Sequence, residues 1–143
     1  SVAFYDKPFY IFAWISMLLS LIQIGLGTQV RQYIDLQTQQ GILDVSLWLQ
    51  NPDVNFYVHR TFSFIILFVN VYLYIRNKRL QLKNRQINWV MLLLLLEILT
   101  GISMYYFDFP FGTQAAHLVL AALMYGLQIQ MILEIRNSKL IKM

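Results

Sequence analysis

The sequence predicts an all-α fold: a polytopic membrane four-helix bundle with both termini cytoplasmic and two similar helix pairs. Three observations carry this reading. The chain of 143 residues is 58% hydrophobic and only 13% charged, about half the charge of an ordinary soluble domain. Four apolar runs occur, each near the roughly 20 residues that cross a bilayer as a helix. The basic residues gather on alternate connections between those runs. A disordered chain and a typical soluble enzyme are excluded by this balance. So is a nucleic-acid-binding domain, despite a net charge of +4.

The elements follow in order. The first span is Phe9–Gln29, an unbroken apolar run rather than an alternating one, which selects helix over strand. A long connection, Val30–Tyr57, carries Asp35, Asp44, Pro52 and Asp53. Within it Ile42–Leu49 is expected to form a short interfacial helix anchored by Trp48, and Asp53 to cap the next helix. The second span is Val58–Arg76, followed by a basic connection with Lys78, Arg79, Lys83 and Arg85. The third, Ile87–Tyr106, ends in a short turn marked by Pro110 and Gly112. The fourth is Gln114–Ile135, so residues 1–143 form a single transmembrane domain.

Four spans put both termini and the second connection on one side. That side holds Lys7, Arg76, Lys78, Arg79, Lys83, Arg85, Arg136, Lys139 and Lys142, nine of the 11 basic residues. By the positive-inside rule this side is cytoplasmic. Only Arg31 and Arg60 fall on the outer side, facing periplasm or cell exterior. The chain opens at Ser1 without a charged n-region and short apolar stretch, so the start is not a signal peptide, and residues upstream are expected to have been removed.

The two halves echo each other. The first span reads Gln23 then Gly27, and the second opens near His59; the third reads Glu97 then Gly101, and the fourth opens near His117. Each hairpin is thus a polar residue, a glycine four later, a connection, and a histidine at the next helix start. The face of His59 continues through Ser63, Ile66 and Asn70, and that of His117 through Ala121, Met124 and Gln128. Two neutral imidazoles at equal depth on two helices suit the opposite faces of one haem iron, with no open coordination position. Gly27 and Gly101 allow close approach of a flat ligand, and Arg31 and Arg60 stand where anionic propionates meet water.

Other candidates are weaker. Glu97, mid-helix, is either protonated or bonded to a neighbour such as Gln23 or Thr100, acting as a helix–helix tie between the repeats or as a proton relay or cofactor-orienting group. Among the outer acids Asp35 is nearest the end of the first span and is the best candidate for site chemistry, with plain solvation as its alternative role. Met104 and Met124 are iron-ligand types but more often pack, and Tyr57, Tyr105, Tyr106, Phe107, Phe109 and Phe111 form an outer aromatic belt. The absence of cysteine excludes disulfides, zinc–thiolate sites, iron–sulfur clusters and thiol catalysis.

The run Gln23–Arg31, the helix start Tyr57-Val58-His59-Arg60, the stretch Glu97 to Gly101 and the start Ala116-His117-Leu118 resemble the haem A synthase family, over nearly the whole chain. The closest likeness is to its carboxy-terminal four-helix half. That family is an eight-helix membrane protein of two similar halves, which oxidises a methyl group of haem O to the formyl group of haem A. The resemblance implies that His59 and His117 ligate a b-type haem. It also implies a bacterial inner-membrane location. This chain has four spans rather than eight, and lacks the outer-loop cysteines and glutamate of many members, Asp35 being the nearest acid.

The reading is therefore the haem-b-binding half of a haem A synthase-like oxidoreductase. Its expected partners are the bilayer, an amino-terminal four-helix half or a second copy, and haem O. The rivals are a stand-alone bis-His cytochrome b linked to quinol, and a non-enzymatic oxidase-assembly scaffold. A two-histidine copper or zinc site needs Asp35 or Asp108 to complete its shell. The groove for the cofactor is expected between the second and fourth helices, lined by His59, His117, Gly27 and Gly101.

Overall fold

A computed structural model of the chain describes residues 4–141, with side chains described to residue 138. Lys142 and the side chain of Lys139, two of the basic residues assigned to the cytoplasm, lie outside the described residues. The described residues contain helices α1 (Lys7–Gln39), α2 (Val54–Arg79), α3 (Gln86–Tyr106) and α4 (Thr113–Ile141), with one 3-10 turn at Val45–Leu47. All four helices are long and apolar enough to cross a membrane.

The helices run past the spans set by hydropathy. The first was expected as Phe9–Gln29 and is Lys7–Gln39; the second as Val58–Arg76 and is Val54–Arg79; the fourth as Gln114–Ile135 and is Thr113–Ile141. The third, expected as Ile87–Tyr106, starts one residue earlier. Hydropathy marks where lipid ends, whereas hydrogen bonding and caps mark where a helix ends. Past Gln29 the chain turns polar but meets no breaker before Gly41, and Arg31 pairs with Asp35 one turn on (3.0 Å). The supposed loop from Val30 is therefore mostly helix. The expected interfacial helix at Ile42–Leu49 shrinks to the 3-10 turn, with the Trp48 indole N–H donating to the Ile42 carbonyl (2.9 Å).

The ends have local causes. Asp6 caps α1 by accepting from Phe9 N–H (2.9 Å), and Asp53 caps α2 by accepting from Phe56 N–H (3.2 Å), as expected for Asp53. The ends of α1, α2 and α3 share one pattern. A left-handed residue follows the cap, namely Gly41 (φ 85°), Gln81 (φ 52°) or Asp108 (φ 52°). The next residue then donates back to the final turn: Ile42 to Gln37 (3.1 Å), Leu82 to Asn77 (3.1 Å) and Phe109 to Met104 (3.2 Å).

In the bundle α1 packs on α2 and α4, and α3 packs on α4 and α2. α1 and α3 lie on one diagonal and α2 and α4 on the other, their backbones kept apart. The repeat extends into the packing. Ala13, Ser16 and Ser20 of α1 are buried, as are Ile87, Val90 and Leu94 at the same spacing on α3. Ile66, Asn70, Leu73 and Asn77 of α2 are matched by Met124, Gln128, Met131 and Ile135 of α4, all buried.

The two amides expected on the histidine faces meet through a residue of α1. Gln128 Nε2 donates to Ser16 Oγ (2.9 Å), which donates to Asn70 Oδ1 (2.9 Å). Ser16 thus joins α4 to α2 across the centre. At the end of the bundle that carries the termini, Asn77 holds the backbone of Asn84 on both sides (3.0 and 3.1 Å), and Asn84 Nδ2 donates to Glu134 (3.1 Å). Arg76 grips Asp6 with two nitrogens (2.7 and 3.1 Å), tying the start of α1 to the end of α2.

Candidate functional site

His59 sits in the second turn of α2 and His117 in the second turn of α4. Those helices are diagonal, so the two imidazoles face each other across the bundle. Their ring centroids are 6.5 Å apart, with the planes at 72°. A metal–nitrogen bond is about 2 Å, so two imidazoles gripping one ion from opposite sides have centroids about 6 Å apart.

Each histidine rests on the glycine of its own hairpin. A Cβ at Gly27 would come within 3.2 Å of His59 Cε1, and one at Gly101 within 3.7 Å of His117 Cε1. Gly27 thus keeps room for the His59 ring, whereas a methyl at Gly101 would make only ordinary contact with His117. The polar residues one turn away differ. Gln23 Nε2 donates to the backbone carbonyl of His59 (3.0 Å), so its side chain supports the helix start and not the ring. Glu97 Oε2 lies 3.2 Å from His117 Nδ1, and Thr100 Oγ1 lies 2.8 Å from the same nitrogen.

Glu97 therefore ties α3 to α4 inside the second hairpin. The side-chain partner expected for it was Gln23 or Thr100, and the tie was expected to link the two repeats; the structure gives it His117 instead. The short turn between α3 and α4 brings residues before Gly101 against the start of α4, and this outweighs any reach across the bundle.

The outer charges are placed less as expected. Arg31 pairs with Asp35 and with the Gln114 amide oxygen. Arg60 lies over the rings of Phe56 (5.8 Å) and Tyr57 (5.4 Å). Asp35 sits on the part of α1 that projects past the expected span. Arg31, Asp35, Thr38, Trp48 and Gln114 help line a cleft of about 410 Å³. That cleft is separate from the groove expected between the second and fourth helices, and neither histidine lines it. Met124 is packed in the core. Among the described residues no three His, Asp or Glu side chains converge as a metal shell, which leaves the copper or zinc reading without its third ligand.

Ser16, Ser20 and the Glu97–His117 contact escaped sequence reading. Two serines four apart in the apolar first half of α1 were the available signal for an inward polar seam. Buried atoms without a partner in the described structure also mark the interior: Ser20 Oγ, Gln23 Oε1, His59 Nδ1, Glu97 Oε1 and Gln128 Oε1. Two facing imidazoles, an unpartnered nitrogen on one, and glycines beside both rings fit a flat, metal-centred group.

A family model described as COX15-CtaA, cytochrome oxidase assembly protein, matches residues 3–129. Neither the curated proteins nor the solved structures return a match. With most of its length matched, the chain belongs to the COX15-CtaA cytochrome oxidase assembly family, membrane oxidoreductases of haem A biosynthesis.

Proposed function

We propose that this chain is the haem-b-binding half of a haem A synthase-like oxidoreductase, converting haem O to haem A together with an amino-terminal four-helix half or a second copy. The observation that carries the reading is the pair His59 and His117, 6.5 Å apart on diagonal helices, each beside its own glycine. His59 and His117 would hold the haem iron, and Gly27 leaves space at the His59 ring. Arg31 and Arg60, the two basic residues near the histidine end, would be the propionate partners. A b-type haem bound here supplies reversible one-electron transfer.

The chain's own residues do the rest. Helices α2 and α4 hold the imidazoles at fixed depth, and the Gln128–Ser16–Asn70 relay keeps those diagonal helices in register. The basic inner connection faces the cytoplasm and the histidine end faces the periplasm of a bacterial inner membrane. Neither Asp35 nor Glu97 is assigned a bond-making role. Asp35 is held by Arg31 at the surface, and Glu97 serves His117.

The test is purification in mild detergent after expression with added haem, with visible spectra oxidised and after dithionite. The expected result is a sharp Soret band and split α/β bands unmoved by carbon monoxide. His59→Ala and His117→Ala should each lose most of the bound haem. Unchanged haem content in both variants overturns the ligand assignment. A flat spectrum from helical, monodisperse protein overturns the haem reading in favour of a scaffold. Quinol-driven reduction without any partner favours the stand-alone cytochrome.

A further inference from the structure

The two hairpins repeat in sequence but hold their histidines differently. On the second, Thr100 Oγ1 lies 3.0 Å from the Leu96 carbonyl and 2.9 Å from the Glu97 carbonyl, the usual back-bond of a threonine within a helix. A hydroxyl has one proton to give. With that proton directed at the backbone, Oγ1 faces His117 Nδ1 at 2.8 Å as an acceptor. His117 Nδ1 must then carry hydrogen, or two lone pairs would meet at contact distance. Glu97 Oε2 at 3.2 Å offers a second acceptor on the same side.

The first hairpin has no counterpart. Gln23 stands where Glu97 does, but its amide is turned to the His59 backbone. Leu26 occupies the place of Thr100, three residues after the polar position, and offers no hydroxyl. His59 Nδ1 is buried and has no hydrogen-bond partner.

We infer that Glu97 and Thr100 are positioning residues that lock His117 in one tautomer, Nδ1–H with the Nε2 lone pair presented, while His59 is left unlocked. The pair is one fixed donor and one adaptable donor. Hydrogen bonding at the far nitrogen both orients a ligating imidazole and raises its basicity. His117 is accordingly the stronger and His59 the more readily displaced ligand of a metal held between them. This last use rests on the haem reading above; the tautomer assignment does not.

The experiment is nitrogen NMR of haem-free protein in detergent, with ¹⁵N-labelled histidine and the two rings assigned from His59→Ala and His117→Ala. The expected spectrum shows His117 as a single Nδ1–H tautomer and His59 as an exchanging mixture. Thr100→Val combined with Glu97→Leu should turn His117 into a mixture, whereas Thr100→Ser should keep the lock. Gln23→Ala should leave His117 unchanged, which controls for general loosening. His117 found as Nε2–H, a lock that survives the double variant, or a His59 locked as firmly as His117 overturns the inference. Where the double variant does not fold, the tautomers of the unaltered protein decide alone. Haem titrated into the same sample separates the two claims. A locked His117 that takes no haem defeats the haem reading only. Haem binding beside an unlocked His117 defeats this inference only.

Discussion

At the scale of residues, the glycines decide how the histidines stand. A methyl at Gly27 would lie 3.2 Å from His59 Cε1, tighter than nearly all real contacts, whereas one at Gly101 would sit at an ordinary 3.7 Å from His117. Gly27→Ala should therefore cut haem retention and broaden the Soret band, and Gly101→Ala should alter both far less. Haem content per protein measures the difference; equal effects would show that ring clearance is not what the glycines provide. His59, His117, Gly27 and Gly101 were legible in the sequence because the repeat put them at matching points. The partner of Glu97 was not, because hydropathy says where a residue sits along the membrane normal but not which neighbour its carboxylate reaches. Arg31 and Asp35 were read apart, although four residues on an unbroken helix make them a pair.

At the scale of elements, three helices finish with one hydrogen-bond pattern but only one supplies glycine at the left-handed position. Gly41 takes φ 85° without strain, while Gln81 and Asp108 adopt φ 52° with a Cβ in the way. Gly41→Ala should lower stability by about 1 kcal/mol, and Gln81→Gly should raise it by a few tenths to about 1 kcal/mol. Thermal unfolding in detergent, followed by circular dichroism, reads both signs. These ends also explain the main error of sequence reading. Gly41 was the true stop of α1, but the polar composition from Val30 onward drew the boundary early, since a helix needs no lipid to persist where its residues favour it. The spans themselves were legible, because about 20 continuous apolar residues have few alternatives.

At the scale of the molecule, lipid does much of the covering. Between 17% and 28% of the most apolar window of each span is buried inside the protein. Side chains such as Phe68 and Trp89 stay largely exposed. The order of helices around the bundle was not legible, since it depends on pairings between faces of similar hydropathy. Polar contacts select it: Ser16 joins the hairpins at the centre, and Asp6 with Arg76 closes the end that carries the termini. The hydrogen bond from Arg76 holds the Asp6 carboxyl below its ordinary value of 3.8. Its contribution is thus fully present above that ordinary value and is lost as pH falls through the lower folded one. Thermal stability should drop over that acid range in the unaltered protein and drop less in Asp6→Asn, which starts lower; parallel curves would remove this clamp from the account.

The diagonal placement of the histidines has one more consequence. Neither hairpin owns the site: each brings one imidazole and one glycine, and the connection between α2 and α3 joins the two, with Asn84 also tied to Glu134 of α4. The molecule has the make-up of two matching hairpins fused into one chain, with equivalent positions buried in each. Cutting that connection and supplying both pieces should therefore restore by complementation what either piece lacks.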